Sequence, residues 1–445
     1  MSGRQITVRE YERLPISHDI GAWGGRALTP SEAEELLRFD DALPVRAFEH
    51  RHRSIRVLNY CGVVQVGRLT MEVLPKIATG GTAEQRASFD RRLLLRMLSI
   101  ARDLPLIDAD RAGMDLQREQ LLEIVVRFFC TETTRQFHQG LIRRYVTAEE
   151  SLAVIRGKWL LDAGLRLHVG RKDQVRCEYD EFTDDNAYNQ VIQATLQLLI
   201  RRTRDNPRLN LDLRGLAARL SDVTEAAVSA QSVRDLPRDR LVARYETVFQ
   251  MCEWFLSAES QNVRAGEERA LGLLFDMNRL FEEVVVKVVR AVLPSGLQLR
   301  VQGPRYPLVR ERGTSADRFR MKPDLCVIDA DGKVVQIIDT KWKLIDVQNA
   351  ADKYGISQSD MYQMFAYAKS YECNRVTLCY PAHADGGNAA DLPTFDFLER
   401  GLELSAASVA IGRLNLEQSQ SAGASLRGAR VWREELGKQV RALVT

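Results

Sequence analysis

The sequence predicts a multidomain α/β protein with a β-rich N-terminal domain over residues 1–80, a mainly helical region over 81–258, and a mixed α/β domain over 266–445. Two observations lead to this prediction. The chain has 445 residues, enough for two or three domains that each bury a core. The spacing of its apolar residues also changes along the chain, from short β-branched runs to helical spacing and then to a mixture of both.

The β-rich domain is predicted from residues 54–77, where short β-branched runs are broken at Cys61-Gly62 and at Gly67-Arg68. This pattern is typical of a small meander or barrel. The segment ATGGT that follows marks the boundary of the domain, because its glycines favour a turn over regular structure.

The middle region places apolar residues at i, i+3, i+4 and i+7 over 90–101 and 116–145, which predicts helices. The following segment, residues 140–176, carries eight basic and four acidic side chains. Such a segment is either a solvated face or a track for phosphates. Alternation over 165–182 predicts one or two strands within it, and helical spacing resumes from 186 to 258.

The last domain follows a polar linker at 259–269 and alternates helix, strands, helix and strand. Helical spacing covers 273–293 and 357–373, a hairpin is predicted over 322–343, and residues 375–381 (RVTLCYP) form a strand. This order of elements indicates a mixed α/β unit.

Composition and missing motifs exclude several classes of protein. The hydrophobic and charged contents, 45% and 28%, are ordinary, and the net charge of +3 does not by itself indicate a nucleic-acid-binding protein. The N-terminus lacks the apolar core of a signal peptide, and no apolar run is long enough to span a membrane. The seven cysteines form no C-x-x-C pair, which favours reduced thiols in a cytoplasmic protein. A Walker A motif, a nucleophile elbow, an H-E-x-x-H motif and histidines at ligand spacing are all absent from the sequence.

The predicted hairpin, KPDLCVIDADGKVVQIIDTKWK, carries three charged groups at one end. Asp339 and Lys341 are two apart in a strand and therefore share a face. Asp324 begins the preceding antiparallel strand, so it lies near Asp339. Two carboxylates suit Mg²⁺, and a lysine beside them suits a phosphate or an attacking water. The alternative is an incidental ion pair at a strand end.

Both neighbouring helices carry polar side chains that could reach this end of the hairpin. On the first helix, Glu282 lies one turn after Asn278 and would supply a third carboxylate to a metal site; the alternative is an exposed acidic pair with Glu283. On the second helix, Gln363 and Tyr367 are four residues apart and so adjacent on one face. Their alternative is an amphipathic helix in which the tyrosine is half buried.

The order of these motifs resembles the PD-(D/E)XK nuclease superfamily: P-D, fourteen residues, D-x-K, with a glutamate-bearing helix before and Q-x-x-x-Y after. The Q-x-x-x-Y element is similar to that of the RecB-type branch. Over residues 5–385 the chain further resembles the McrC family, the nuclease subunit of the McrBC 5-methylcytosine-dependent restriction system. The blocks that carry this resemblance, in order, are NYCGVVQVGRLTMEVLPKI, VIRGKW, YDEFTDDNAYNQVI, MNRLFEEVV, KPDLCVI, IIDTKWK and DMYQMFAYAKSY.

The resemblance implies a C-terminal PD-(D/E)XK endonuclease domain dependent on Mg²⁺, with Mn²⁺ as an alternative metal. Asp324 and Asp339 would bind the metal, with the carbonyl of Thr340 and the side chain of Glu282 as further ligands. Lys341 would act on the nucleophilic water. The supporting catalytic candidates on the second helix are Gln363 and Tyr367.

The resemblance also implies partners and a division of labour. The N-terminal half would dock on a McrB-like AAA+ GTPase hexamer and stimulate it, with the β-rich domain and residues 155–159 (IRGKW) as the candidate docking regions. The substrate would be methylated double-stranded DNA. Two other readings of the sequence stay open: a self-sufficient nuclease of the repair or type II restriction kind, and a non-catalytic activator of the GTPase.

Overall fold

A computed structural model of the protein describes residues 4–78, 80–104, 120–160, 174–259, 270–346, 349–382, 393–397 and 408–414. Within these residues the chain forms eighteen strands: β1 (Arg4–Arg9), β2 (Arg13–Pro15), β3 (Phe48–Arg51), β4 (Ser54–Val57), β5 (Tyr60–Val66), β6 (Leu69–Leu74), β7 (Arg144–Leu152), β8 (Lys158–Trp159), β9 (Val175–Thr183), β10 (Leu271–Asp276), β11 (Gln298–Val301), β12 (Pro307–Arg310), β13 (Asp317–Arg320), β14 (Leu325–Ile328), β15 (Val334–Thr340), β16 (Arg375–Pro381), β17 (Thr394–Asp396) and β18 (Ser408–Leu414).

The same described residues form nine α-helices: α1 (Pro30–Ala42), α2 (Ala83–Arg102), α3 (Leu121–His138), α4 (Ala187–Arg202), α5 (Pro207–Ala218), α6 (Ala230–Arg234), α7 (Glu246–Ala258), α8 (Met277–Val292) and α9 (Gln358–Ser370).

The chain divides into two compact units. One, here called the insertion unit, comprises Leu122–Leu273; the other, the main unit, comprises Arg4–Leu121 and Leu274–Thr445. The N-terminal sheets and the C-terminal sheet therefore belong to the same unit although the insertion unit separates them in the sequence. The boundaries given above for three domains stay a prediction.

The N-terminal part of the main unit is β-rich, as the sequence predicts. Strand β6 pairs in parallel with β1 and antiparallel with β5, and β2, β4 and β3 form a smaller antiparallel sheet. Helix α2 begins where the ATGGT segment ends, because the Thr82 side chain accepts from the Gln85 N–H and the Gln85 side chain caps Thr82 in return. On this helix, Arg91 donates to both carboxylate oxygens of buried Glu72 at 2.7 Å, which ties α2 to the sheet.

The C-terminal part is a six-stranded mixed sheet in the order β11-β14-β15-β16-β18-β17. Strands β14 and β15 form the predicted antiparallel hairpin, and β15 pairs in parallel with β16. Helix α8 contacts β15 and helix α9 contacts β16, so the central strands are covered by helices. For this reason the β14–β16 strands are almost continuously buried and apolar instead of alternating.

The predicted helix over 273–293 is wrong at its start. Residues up to Asp276 belong to strand β10, and the helix begins at Met277. The cause is a cap: the Asp276 side chain accepts from the N–H groups of Asn278 (2.9 Å) and Arg279 (3.4 Å). The apolar residues before this cap therefore join a strand rather than a first helical turn.

The insertion unit combines helices α3–α7 with a three-stranded antiparallel sheet in the order β7-β9-β8. A β segment therefore lies among the basic residues, between helices in the sequence. The predicted helix over 116–145 is too long: it ends at His138, and Gly140, with φ +98°, leads into β7. Residues 116–119 of that predicted helix, residues 165–173 of the predicted strands and residues 260–269 of the linker lie outside the described residues.

All seven cysteines are buried and unpaired, as expected for reduced thiols. In the described part of the chain, no helix combines the length and the apolar character needed to cross a membrane.

Candidate active site at the end of the central hairpin

The hairpin register brings the two predicted metal ligands together. Leu325 pairs with Ile338, so the preceding Asp324 lies opposite Asp339. Asp324 Oδ2 accepts two hydrogen bonds from Thr340, one from its N–H and one from its hydroxyl, both at 2.7 Å. Thr340, the residue after Asp339, therefore fixes the Asp324 carboxylate at the end of the strand.

Asp339 is a buried carboxylate that lies between a lysine and a second carboxylate. Its side chain lies 2.6 Å from Lys341 Nζ, and the residue is only 2% exposed. Lys341 is therefore its charged partner at hydrogen-bond distance, but Lys341 also contacts Gln363 and Asp360. Burial, followed by the negative charge of Asp324, raises the pKa of Asp339 from 3.8 to about 7. A bound cation would oppose this shift, because it favours the ionised form of Asp339 and offsets the charge of Asp324.

Lys341 lies at the centre of a charged network. Its Nζ donates to Gln363 Oε1 at 2.9 Å and lies 3.8 Å from Asp360 Oδ1. Burial alone would lower the pKa of Lys341, but the carboxylates of Asp339, Asp360 and Asp324 outweigh burial and raise it. Lys341 is therefore a stable ammonium group, which suits a role in binding phosphate and orienting water better than a role as a general base.

Gln363 and Tyr367 lie on one face of α9, as their spacing predicts. Gln363 Nε2 donates to the Tyr367 hydroxyl at 2.9 Å, while its carbonyl oxygen accepts from Lys341. The tyrosine is buried, which raises the pKa of its hydroxyl. Tyr367 therefore orients Gln363, and Gln363 orients Lys341.

Glu282 lies near this cluster on α8 without completing a three-carboxylate site. Its side chain is partly buried and accepts from Gln302 Nε2 at 3.0 Å. Burial raises the pKa of Glu282 and the charge of Asp324 raises it further, so the two carboxylates interact electrostatically. In the described parts of the chain no three His, Cys, Asp or Glu side chains are positioned together around a metal site. Asp324 and Asp339 bring two carboxylates together at this strand end, and hard oxygen donors of this kind suit a divalent cation.

Three contributors to the site could not be found from the sequence alone. Gln302 binds Glu282 through its side chain, and its N–H donates to the Asp324 carbonyl at 2.8 Å. Asp360 lies near Lys341, and its only local signal is the Ser357 cap that accepts from its N–H at 3.1 Å. The third is Glu10, described next.

Trp342 ties the end of the hairpin to the N-terminal part of the main unit. Its ring packs on Phe281 of α8 with centroids 5.5 Å apart, and its Nε1–H donates to both oxygens of Glu10 at 3.0 and 3.1 Å. Glu10 Oε1 also accepts from the Lys76 N–H at 3.0 Å. Burial raises the pKa of Glu10 to about 7 despite these bonds. The residue after Lys341 is thereby anchored on one side by a helix and on the other by the N-terminal sheets.

Fold and site together define a multidomain mixed α/β protein that presents two carboxylates and a lysine at the end of a buried hairpin. The family model for the McrBC 5-methylcytosine restriction system component matches residues 55–381. The chain therefore belongs to this family and is a component of an McrBC restriction system, a nuclease system.

Two solved structures share the fold of the chain. One is a chain of the refined half-complex from the tetradecameric assembly of Thermococcus gammatolerans McrB AAA+ hexamers with bound McrC. It has a TM-score of 0.66 and 19% identity over 98% of this chain and 99% of that chain. The other is a chain of the cryo-EM structure of the Thermococcus gammatolerans McrBC complex, with a TM-score of 0.50 and 19% identity over 65% of this chain and 88% of that chain. No curated protein matches the chain.

Proposed function

We propose that this chain is the nuclease subunit of a modification-dependent, type IV restriction system. It cuts double-stranded DNA containing 5-methylcytosine in the cytoplasm, with an AAA+ GTPase hexamer whose activity it stimulates. One observation carries the nuclease assignment: buried Asp339, with its pKa near 7, lies beside Asp324 and 2.6 Å from Lys341. A carboxylate held in this environment is poised to bind a cation, and the lysine is poised to bind the anion that accompanies it.

The metal would be Mg²⁺ or Mn²⁺, held by Asp324, Asp339 and the carbonyl of Thr340. When bound, it would lower the pKa of a water and offset the charge that develops on phosphorus. Lys341, kept as an ammonium, binds a phosphate oxygen and orients the attacking water. Gln363 holds the lysine in place, and the two hydrogen bonds from Thr340 hold Asp324.

Two observations support the partner assignment. The solved chain with the same fold comes from an assembly of McrB AAA+ hexamers with bound McrC. In addition, the IRGKW segment lies at an exposed sheet of the insertion unit, where Ile155 is 56% exposed and Trp159 48% exposed. Exposed apolar side chains of this size are typical of protein interfaces. We place the GTPase docking surface on this sheet, with the β-rich N-terminal domain as the second candidate.

The test is cleavage of methylated and unmethylated plasmid with Mg²⁺, using this chain alone and with the AAA+ protein encoded beside it plus GTP. We expect cleavage only in the complete mixture and only of methylated DNA. Asp339→Ala should abolish cleavage but leave stimulation of the GTPase intact, because docking and chemistry use different surfaces. Loss of both activities in this variant would contradict that separation.

Other outcomes would favour the competing functions. Cleavage by this chain without partner or nucleotide would indicate a self-sufficient nuclease. Stimulation of the GTPase without any cleavage by the wild-type complex would indicate a non-catalytic activator.

A further inference from the structure

A two-stranded arm, residues 302–322, projects from the main unit immediately before the first metal ligand. Strands β12 and β13 pair only with each other among the described residues and form a separate antiparallel sheet. Every residue of β13 is exposed, and β12 is exposed from its second residue onward. An isolated hairpin with so little packing gains little stability from its own contacts, which suggests that it serves a binding purpose.

The arm is strongly basic after its internal ion pairs are taken into account. It contains six basic and two acidic side chains. Both acids are neutralised within the arm: Arg310 contacts Asp317 at 2.8 Å, and Arg318 contacts Glu311 at 2.9 Å. In the described part of the chain, no carboxylate lies within ion-pair distance of the remaining cations, which are Arg305, Arg312, Arg320 and Lys322.

Exposed apolar side chains are interleaved with these cations. Phe319, between Arg318 and Arg320, is 76% exposed, and Leu308 and Val309 are about half exposed. Single exposed apolar residues are normal, but several on one isolated hairpin are not. Cations alternating with apolar and aromatic groups suit a polyanion that also has sugars and base edges to contact.

The base of the arm is tied directly to the active site. On one side, Gln302 donates to the Asp324 carbonyl and to Glu282. On the other, the Tyr371 hydroxyl donates to the Pro304 carbonyl, and its ring packs against Tyr306 with centroids 4.7 Å apart. The arm therefore leaves the fold at the rim of the candidate active site, and its orientation is fixed by the same helices that hold Glu282 and Gln363.

We propose that this arm binds the phosphate backbone of duplex DNA next to the scissile phosphate. The proposal rests on the nuclease function proposed above and identifies the surface that holds the substrate. Arg305, Arg312 and Arg320 have no ion-pair partner among the described residues, whereas the charge of Lys322 also acts on Glu282. Three such arginines on an arm whose own acids are already paired match a polyanion. Phosphate contacts of this kind position a duplex without reading its sequence. In the complex, recognition of the modified base would then belong to the partner.

The first experiment compares two double variants that each remove two exposed arginines. Arg312→Ala/Arg320→Ala alters the arm, and Arg204→Ala/Arg208→Ala, in the insertion unit, is the matched control. Binding of the full-length chain to a short fluorescent duplex is measured by anisotropy in EDTA over a range of salt concentrations. We expect the arm variant to bind at least about tenfold more weakly at moderate salt. The slope of log K against log salt should fall by about two, one for each phosphate that the variant no longer neutralises.

Arg312→Lys/Arg320→Lys is the conservative variant. Because a phosphate contact depends mainly on charge, it should restore most of the affinity and the full salt slope. Phe319→Ala should weaken binding without changing the slope. Unchanged unfolding temperatures in all variants would show that the exposed arm, not the fold, is affected.

Several results would overturn the proposal. One is equal DNA binding by the arm variant and its control. Another is no measurable DNA binding by the wild-type chain even at low salt. A third is an arm variant that binds DNA normally but no longer binds the GTPase partner. The last would identify the arm as a protein interface. DNA binding is measured without metal and therefore does not depend on cleavage. A wild-type complex that fails to cleave would refute the nuclease function, but it would not change the measured binding of DNA by the arm.

Discussion

Replacing Asp339 with asparagine should make the metal-free protein more stable at neutral and alkaline pH while abolishing cleavage. In the unfolded chain this carboxyl group ionises at its ordinary pKa of 3.8, whereas in the folded protein its pKa is about 7. Between these two values the folded state keeps a proton that the unfolded state has lost. The free energy of unfolding therefore falls as pH rises from about 4 to about 7, and above about 7 the full destabilisation is present.

The size of the effect follows from the same two values. Each tenfold difference in proton affinity corresponds to about 1.4 kcal/mol, so a rise from 3.8 to about 7 destabilises the ionised folded state by at most about 4 kcal/mol. Asparagine has a similar shape and carries no charge, so it avoids this penalty. The pKa of about 7 already includes the attraction of Lys341, and Lys341 keeps its bond to Gln363 in the variant. The gain is smaller than the upper limit to the extent that the folded protein relaxes around the charge. We therefore expect a net gain of about 1–3 kcal/mol at pH 8, and a small effect near pH 4.

The assay is thermal unfolding of the full chain in EDTA at the two pH values, followed by tryptophan fluorescence. For a unit of this size the expected gain corresponds to about 2–4 °C for each kcal/mol. Asp331→Asn is the matched control, since Asp331 belongs to the other D-x-K triplet of the same hairpin and is exposed at the turn. Added Mg²⁺ should stabilise the wild-type protein and leave Asp339→Asn unchanged. If Asp339→Asn were less stable than the wild-type protein, and by the same amount at pH 4 and at pH 8, the reasoning would be refuted.

Three further predictions concern the network around the site. Trp342→Phe removes the indole N–H that both Glu10 oxygens accept from. The free energy of unfolding in urea should therefore fall by about 1–3 kcal/mol, most strongly above pH 7, where Glu10 is ionised. An unchanged free energy of unfolding would mean that this bond is dispensable. Tyr367→Phe removes the hydroxyl that accepts a hydrogen bond from Gln363. The single-turnover cleavage rate should therefore fall by roughly 3- to 10-fold while DNA affinity stays constant. A change in DNA affinity without a change in cleavage rate would contradict the orienting role. Chelation of divalent metal should abolish cleavage but preserve DNA binding in an electrophoretic mobility assay, and cleavage that survives EDTA would exclude the two-carboxylate metal site.

Local patterns in the sequence determined the parts of the site that lie on single elements. The β-branched runs around the Ala-Asp-Gly turn predict the hairpin, and the two-residue period of a strand places Asp339 and Lys341 on one face. The helical period likewise places Gln363 beside Tyr367. These predictions succeed because each depends on the geometry of one strand, one turn or one helix. The hydrogen bonds within that element fix the relation between neighbouring side chains.

Local patterns fail where a single side chain redirects the backbone or where distant elements meet. The sequence predicts a helix over most of strand β10 because its apolar residues suit either structure, and only the Asp276 cap decides between them. The role of Glu282 as a third metal ligand stays a prediction, because how close it lies to Asp324 depends on how α8 packs on the sheet. No periodicity reports that packing.

The sequence by itself therefore determined which chemistry the site carries: two carboxylates and a lysine on the hairpin, and a supporting glutamine on the helix that follows it. Only the tertiary structure decided how that chemistry is tuned. The rise in the pKa of Asp339 comes from its burial and from the charge of Asp324, and the end of the hairpin is tied to the N-terminal sheets by a bond between Trp342 and Glu10, 332 residues apart in the chain. Burial and contacts between distant residues are set by the packing of whole sheets and helices, whereas spacing in the sequence reports only on neighbours within one element.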